Sequence, residues 1–192
     1  MTSQSPESAH ASRLSLRYSS AAGSEAASTK AQGSGDGWAA GPGGIKVWGK
    51  FGAAGLFLVA GDEVLLQFRA KWTNAGHTWG IPGGARDFEE PAVAAALRET
   101  HEECAIEARD VTVLGEEVTA GPYPAAAQLP GQWTYTTVLA QTLHGERLAT
   151  VANAESEELR WVALDEVEKL PLLGAFRKAF PYLRQRFAHL KQ

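Results

Sequence analysis

The sequence predicts an α/β domain in which a mixed β-sheet is sandwiched between helices, preceded by a segment that does not fold. Three observations predict it. Short apolar or alternating runs, bounded by Gly, Pro and Asp, recur from Ile45 onward and read as strands. Only two longer stretches, 90–104 and 172–190, carry apolar residues at helical spacing. Residues 1–34 are rich in Ser, Ala and Gly and almost without large apolar side chains. Such a segment cannot bury enough surface to offset its ordering entropy. A disordered tail over 1–34 and one folded domain over 35–192 are therefore expected.

The elements follow in order. A glycine-rich approach, Gly35 to Gly44, contains Trp38, which is placed to pin this arm to the domain. Ile45–Trp48, Gly55–Ala60 and Glu63–Arg69 read as strands, the last two joined at Gly61-Asp62, a tight hairpin turn. Lys71–His77 is a polar loop, and Trp79–Pro82 a short strand. Glu90–Cys104 reads as a helix with Pro91 at its first position, where the missing N–H is not needed. On it Val93, Leu97, Thr100 and Cys104 recur at helical spacing and are expected to face the core. Strands follow at Val111–Val118, Gln132–Leu143 and Leu159–Leu164, the second alternating at Trp133, Tyr135, Thr137 and Leu139. Asp165 is expected to cap a short helix through Leu170. A final helix from Leu172 to Leu190 is expected to bend or break at Pro181.

Composition narrows the function. In 192 residues the formal charge is −4, which leaves no electrostatic footprint for duplex DNA or RNA. The single Cys104 excludes an intramolecular disulfide and a Cys-rich zinc site, and its place on the apolar stripe makes it a core residue. No run approaches the length of a membrane span and no apolar signal core opens the chain, so a cytoplasmic protein is expected. The Ser-rich tail faintly resembles an organellar targeting peptide, but a solvated tail is the better reading. Oligomeric state is left open, with a homodimer as one option.

The chemistry is concentrated between residues 84 and 106. Glu99, Glu102 and Glu103 stand at i, i+3 and i+4, so their carboxylates are expected on one helix face, opposite the apolar stripe. Like charges at that spacing destabilise a helix by roughly 0.2–0.5 kcal/mol per pair. A divalent cation held by hard oxygen ligands gives that repulsion a purpose, and Mg²⁺ is the natural candidate.

The segment Gly84-Ala-Arg-Asp-Phe-Glu-Glu90, followed after Pro91 by Arg98-Glu99-Thr100-His101-Glu102-Glu103-Cys104-Ala105-Ile106, resembles the Nudix box. Gly84, Glu90, Arg98, Glu99, Glu102, Glu103 and Ile106 match in register. Thr100 departs where an aliphatic residue is usual, and Ala105 departs where glycine is usual. The resemblance extends over roughly residues 45–190. Phe51–Ala60 with Glu63–Arg69 is similar to the strand pair before the box, Trp79-Gly-Ile-Pro-Gly-Gly84 to its lead-in, and Ser156–Val167 to its late strand.

The resemblance implies the Nudix α/β/α sandwich and hydrolysis of a pyrophosphate bond in a nucleoside di- or triphosphate derivative. It implies Mg²⁺, with Mn²⁺ as a substitute, held by Glu99, Glu102 and Glu103 and by the Gly84 carbonyl. Gly83 and Gly84 would permit the turn that brings backbone close to the metal. Glu90 either contributes indirectly to metal binding or, the preferred reading, caps the helix N-terminus and meets Arg98 in an ion pair, with Arg98 orienting carboxylates. The catalytic candidates are Glu102, Glu103 and, as a general base from a later loop, Glu155 in Ala154-Glu-Ser-Glu-Glu158; a merely solvated acidic loop is the alternative.

For the substrate, Trp79 and Trp133 could stack on a nucleobase and Tyr135 shares a strand face with Trp133, although strand aromatics equally fill cores. Arg69 fits part of the pattern of coenzyme A-cleaving members, but Asn74 stands where their second arginine belongs. Pro122 and Tyr123 match markers of ADP-ribose-cleaving and diadenosine-polyphosphate members respectively, so they discriminate neither. Those two activities are the alternatives to nucleotide-pool housekeeping. A non-catalytic nucleotide-sensing Nudix domain is the alternative of another class, disfavoured because every box glutamate is present.

Overall fold

A computed structural model describes residues 33–192. The expected tail lies outside the described residues except for Gly33 and Ser34, and Gly33 is tied to the domain. Its carbonyl accepts a hydrogen bond from Phe88 N at 2.7 Å. Strands β1 (Trp38–Ala40) and β2 (Lys46–Trp48) form a small antiparallel hairpin of their own.

The main sheet comprises β3 (Ala53–Ala60), β4 (Glu63–Arg69), β5 (Trp79–Gly80), β6 (Gly83–Ala85), β7 (Val111–Tyr123), β8 (Trp133–Thr142) and β9 (Ser156–Ala163). It is mixed: β3 runs parallel to β8 and every other pairing is antiparallel. β3 and β4 leave the Gly61-Asp62 turn paired at Val59↔Val64 and Ala60↔Glu63, and then they part. β9 occupies one edge of β4 throughout, while β5 pairs with the other edge at Gln67 and Phe68. β6 pairs with the facing edge of β3 at Ala53–Gly55. Residues 79–85 thus fill a fork between the two strands. That fork positions the site described below.

A helix covers each face. On β3 Leu56 and Leu58 point to helix α1 (Ala92–Cys104), whereas Phe57 and Val59 point to helix α2 (Gly174–Leu190). This explains the uninterrupted apolar run of β3, a strand buried on both sides. The layer under α2 is built from Phe176, Phe180, Leu183 and Phe187 against Phe57, Leu66 and Leu139. The layer under α1 is thinner, because the helix presents Ala92, Ala95, Ala96 and Cys104. Small side chains let the helix approach the sheet closely.

Several sequence expectations are corrected here. Val93 and Leu97 are only half-buried, and the inward face of α1 is the alanine row with Thr100, Glu103 and Cys104. Glu103 therefore does not share an exposed face with Glu102; it is 3% exposed. Pro91 is extended and precedes the helix as its N-cap, one position earlier than expected. β7 runs on to Tyr123, well past Val118. Asp165 caps nothing: a 3₁₀ turn at Val167–Lys169 follows Glu166. α2 runs through Pro181 without a break. Pro181 lies on the exposed side, where water can satisfy the carbonyl that loses its donor, while Phe176, Phe180, Leu183 and Phe187, buried on the other side, keep the helix continuous.

The two departures from the box have local explanations. Thr100 is buried, but its hydroxyl donates to Ala96 O at 2.7 Å, so no polar atom is left unpaired. Ala105 ends α1 in the left-handed region (φ 57°, ψ 29°), with its N–H on His101 O. Its side chain is exposed, so replacement by glycine loses no packing. Ala105→Gly should stabilise the protein by about 1 kcal/mol, because the left-handed strain vanishes. Denaturant midpoints of the two proteins check this, and a lower midpoint for the variant would contradict it.

Candidate active site

The fork and helix α1 meet at Gly83 and Gly84. Gly83 N donates to Glu103 Oε2 at 2.8 Å. A Cβ on Gly84 would lie 2.5 Å from the Glu99 carboxyl, so that carboxyl rests directly on the glycine backbone. Two glutamates one helical turn apart are thus gathered on Gly83 and Gly84, where a Cβ at the first would collide with the β3 backbone and a Cβ at the second would displace the Glu99 carboxyl. Glu102 projects to solvent from the same end of the helix, its side chain 50% exposed.

Arg98 organises this group. Its Nε and Nη2 donate to the two oxygens of Glu90, both at 2.9 Å, a bidentate pair. Nη2 also donates to Ala85 O, and Nη1 donates to Glu99 at 2.8 Å and lies 3.6 Å from Glu102. Glu90 further accepts from Asp87 N, and its carbonyl accepts from the Arg86 guanidinium. Glu90 and Arg98 therefore brace the loop and aim carboxylates, as their expected ion pair requires. Burial pushes the Glu90 carboxyl up, but the hydrogen bonds from Arg98 and Asp87 N outweigh it and hold the group below its ordinary range.

Glu99 and Glu103 behave oppositely. Burial raises the proton affinity of Glu99 more than Arg98 lowers it. Burial pushes Glu103 up to about 7, with the charges of Glu99 and Glu155 adding to the effect and the Gly83 N–H opposing it. The charge of Glu155, on a neighbouring loop, contributes least to both shifts. Its loop is hung on the end of α1: Val151 N donates to Cys104 O and Asn153 N to Glu103 O, using carbonyls that a helix end leaves unpaired. The Glu155 carbonyl in turn accepts from Ala70 N at 2.8 Å.

The tentative substrate residues divide. Tyr135 is brought to the cluster, with its hydroxyl over Gly55 and its proton affinity raised by burial and by Glu103. Arg69 is near enough to act on the same hydroxyl, and its Nε donates to Asn74 O. Trp79 and Trp133 are corrected to packing roles. Trp79 is 5% exposed, under the Arg160 guanidinium and against Phe68. Trp133 stacks on Tyr123 with 11° between the rings and donates to Trp48 O, so neither tryptophan offers a base a free face. Cys104 is buried among apolar residues, and that burial raises its thiol well above the ordinary range.

Among the described residues, no three acidic, His or Cys side chains converge into a closed metal cage. The donor set nevertheless fits Mg²⁺. It is all oxygen, its buried carboxylates repel one another, and the Gly84 backbone lies against one of them. Mg²⁺ characteristically keeps several waters and takes only one or two carboxylates besides phosphate oxygens, so an open arrangement suits it.

Sequence reading missed Gln67, fully buried in β4 and hydrogen-bonded to Ser156. The available signal was one uncharged polar residue between Leu66 and Phe68 in an otherwise apolar strand interior. It also missed the clasp of residues 33–50 on the box loop, where Gly35 N meets Asp87 Oδ1 at 2.7 Å. No helix among the described residues is long and apolar enough to cross a membrane.

Comparison with known proteins agrees with this geometry. The NUDIX domain family model matches residues 49–183. A Mycobacterium tuberculosis protein named "Putative 8-oxo-dGTP diphosphatase 3" is 45% identical over 162 residues, covering 82% of this chain and 72% of its own. A Bifidobacterium longum protein, named as a nucleoside triphosphate pyrophosphatase/Nudix hydrolase fusion, is 37% identical over 164 residues, 81% of this chain but 32% of that longer one. The crystal structure of a Nudix hydrolase from M. smegmatis, RenU, superposes with a TM-score of 0.73 at 44% identity, over 81% of this chain and 96% of that one. With the box carboxylates in place on a mixed sheet flanked by two helices, the chain belongs to the Nudix family and is a Nudix pyrophosphohydrolase.

Proposed function

We propose that this pyrophosphohydrolase acts on nucleoside triphosphates, oxidised guanine deoxynucleotides among them, in housekeeping of the nucleotide pool. The observation that carries the reading is the gathering of Glu99 and Glu103 on Gly83-Gly84, within electrostatic reach of Glu155. The name of the M. tuberculosis relative supports the oxidised substrate.

Hydrolysis adds water across one P–O–P bridge. A phosphorus gains the water oxygen, the bridging oxygen leaves with the bonding pair, and a nucleoside triphosphate yields a monophosphate and pyrophosphate. Mg²⁺ or Mn²⁺ held by Glu99, Glu102, Glu103 and the Gly84 carbonyl would screen the phosphates and lower the pKa of bound water. The chain's own residues have three tasks. Arg98 keeps Glu99 and Glu102 aimed at one region. Glu155, on an exposed loop beside the cluster, accepts the proton of the attacking water and releases it to bulk. Arg69 and the Tyr135 hydroxyl offer donors to the anionic substrate.

The test is a substrate panel with Mg²⁺: 8-oxo-dGTP, dGTP, ADP-ribose and diadenosine tetraphosphate, with products resolved by chromatography. The highest kcat/KM is expected for 8-oxo-dGTP, with pyrophosphate as the second product. Preferred cleavage of ADP-ribose or of the dinucleoside polyphosphate would overturn the substrate assignment. Failure to cleave any member of the panel would favour a nucleotide-sensing domain.

A further inference from the structure

The loop between β4 and β5 carries an indole that nothing in the fold uses. Trp72 is 69% exposed. The other exposed aromatics of the described residues all have partners. Trp38 meets Trp48 edge to face, Phe51 meets Phe88 likewise, and Tyr182 donates to Glu117. Single exposed apolar residues are ordinary on a surface, but this one stands on a braced loop. At the foot of the loop Arg69 N donates to Thr78 O and His77 N to Arg69 O. Further up, Thr73 N and Oγ1 both donate to Ala70 O, Gly76 N to Thr73 O, and Thr78 Oγ1 to Ala75 O. One Glu157 oxygen accepts from Lys71 N at 3.0 Å and lies 3.2 Å from His77 Nε2, clamping both limbs. Ala75 (φ 54°) and His77 (φ 59°) are held in the left-handed region, strain that persists only where surroundings enforce it.

We propose that Trp72 is the residue on which the nucleobase of the substrate stacks. Its position carries the argument. Ala70 N donates to Glu155 O at 2.8 Å, and Trp72 follows two residues on, within roughly 7 Å of chain. The Glu155 loop is itself bonded to the end of α1 through Val151 N and Asn153 N. The indole thus stands at the rim of the carboxylate cluster, beside the exposed Lys71. A nucleotide has a charged end and a flat one. The carboxylates and their cation answer the phosphates, whereas the base needs a π face, and Trp79 and Trp133 have none free. A side chain held ready on a rigid loop binds without first being ordered, which favours affinity. Stacking tolerates any base, so Trp72 selects nucleotides as a class and leaves the choice among bases to other contacts. This role rests on the reading of the cluster as the hydrolytic site.

Trp72→Ala should raise KM for 8-oxo-dGTP ~5–150-fold, the equivalent of one lost base–aromatic stack. The kcat should stay near wild type, because a contact made equally in ground and transition states is what disappears. The thermal midpoint should not move, since the ring is largely in solvent. Trp72→Phe should recover most of the affinity. A readout independent of turnover is indole fluorescence of the full chain with Mg²⁺. Either 8-oxo-dGMP or AMP should quench it saturably, and 2-deoxyribose 5-phosphate, which has no base, should not. Trp72→Phe should lose that quench while still binding the nucleotide by calorimetry. An unchanged KM in Trp72→Ala would overturn the proposal, as would a quench that survives in Trp72→Phe. A lower kcat with a lowered midpoint would also overturn it, because that pair of changes marks a structural role. A wild-type protein that cleaves no nucleotide yet shows the Trp72-dependent quench would instead overturn the hydrolytic reading and leave the stacking in place. Absence of any quench would end the proposal whatever the turnover.

Discussion

Glu103→Gln should abolish most of the activity and make the metal-free protein more stable at neutral and alkaline pH. The activity loss should be on the order of 10²–10⁴-fold, the range for groups that take part directly in proton transfer or hold the charges that drive it. The stability gain follows from burial. Glu103 is 3% exposed and its carboxyl is pushed up to about 7 from an ordinary value of 4.5. Because the folded-state value is the higher one, the protonated form favours folding. That contribution is fully present below pH 4.5 and is lost as pH rises towards 7, where the folded protein must ionise a buried group. The loss is on the order of 3 kcal/mol, about 1.4 kcal/mol per pH unit over this window. Glutamine keeps the acceptor for Gly83 N and never ionises. In the absence of divalent cations the variant should therefore melt roughly 6–12 °C above wild type at pH 8, and alongside it at pH 4.5. Mg²⁺ should raise the wild-type midpoint and close the gap. A midpoint that does not separate with pH would show that Glu103 bears no ionisation cost; retained turnover would remove α1 from the chemistry.

Gly83→Ala should unfold the fork. A Cβ there would lie 2.4 Å from Ala54 O and 2.5 Å from Gly55 Cα, at φ +156°. Both obstacles are backbone of β3, which cannot shift without moving the sheet. A cost of about 3 kcal/mol is expected, the upper end for overpacking a rigid site, and a midpoint lower by roughly 6–12 °C. Activity should also fall at temperatures where the variant is folded, because Gly83 N no longer meets Glu103. Gly84→Ala is the informative contrast. Its Cβ would meet the Glu99 carboxyl, a side-chain end that can swing away, so turnover should drop with little change in midpoint. Equal midpoints for Gly83→Ala and wild type would mean that the fork is not closed around this residue.

What the sequence disclosed was local. Alternation, the Gly61-Asp62 turn and the spacing of Glu90, Arg98, Glu99, Glu102 and Glu103 located strands, hairpin and carboxylates without any tertiary information. Glu103 defeated the pattern because helical spacing assigns a face only relative to what packs there. A row of alanines turned the buried face of α1 by part of a turn, and that row is too weakly hydrophobic to outvote Val93 and Leu97 on paper. Trp79 and Trp133 failed for a related reason: a strand aromatic has the same signature whether its ring meets a ligand or Arg160 and Tyr123. Gln67 and the fork were invisible because each depends on pairings between segments far apart in the chain. Only the expected break at Pro181 is overturned, since a lost hydrogen bond on a hydrated face does not oblige a well-packed helix to end.

The parallel pairing of β3 with β8 sets the order in which the molecule can be completed. Tyr135 lies opposite Ala53, roughly eighty residues further along. As the chain is synthesised, β3, the fork and α1 exist before the strand that closes the other edge of β3, and before the Glu155 loop. Such distant pairings are slow to form, because a long stretch of chain must be gathered first. A nascent chain stopped at residue 130 would already display every letter of the box, with its carboxylates on an alanine-faced helix over a half-finished sheet. The motif is early and its surroundings are late: β8 closes beside β3 first, and the Glu155 loop and β9 join only after it.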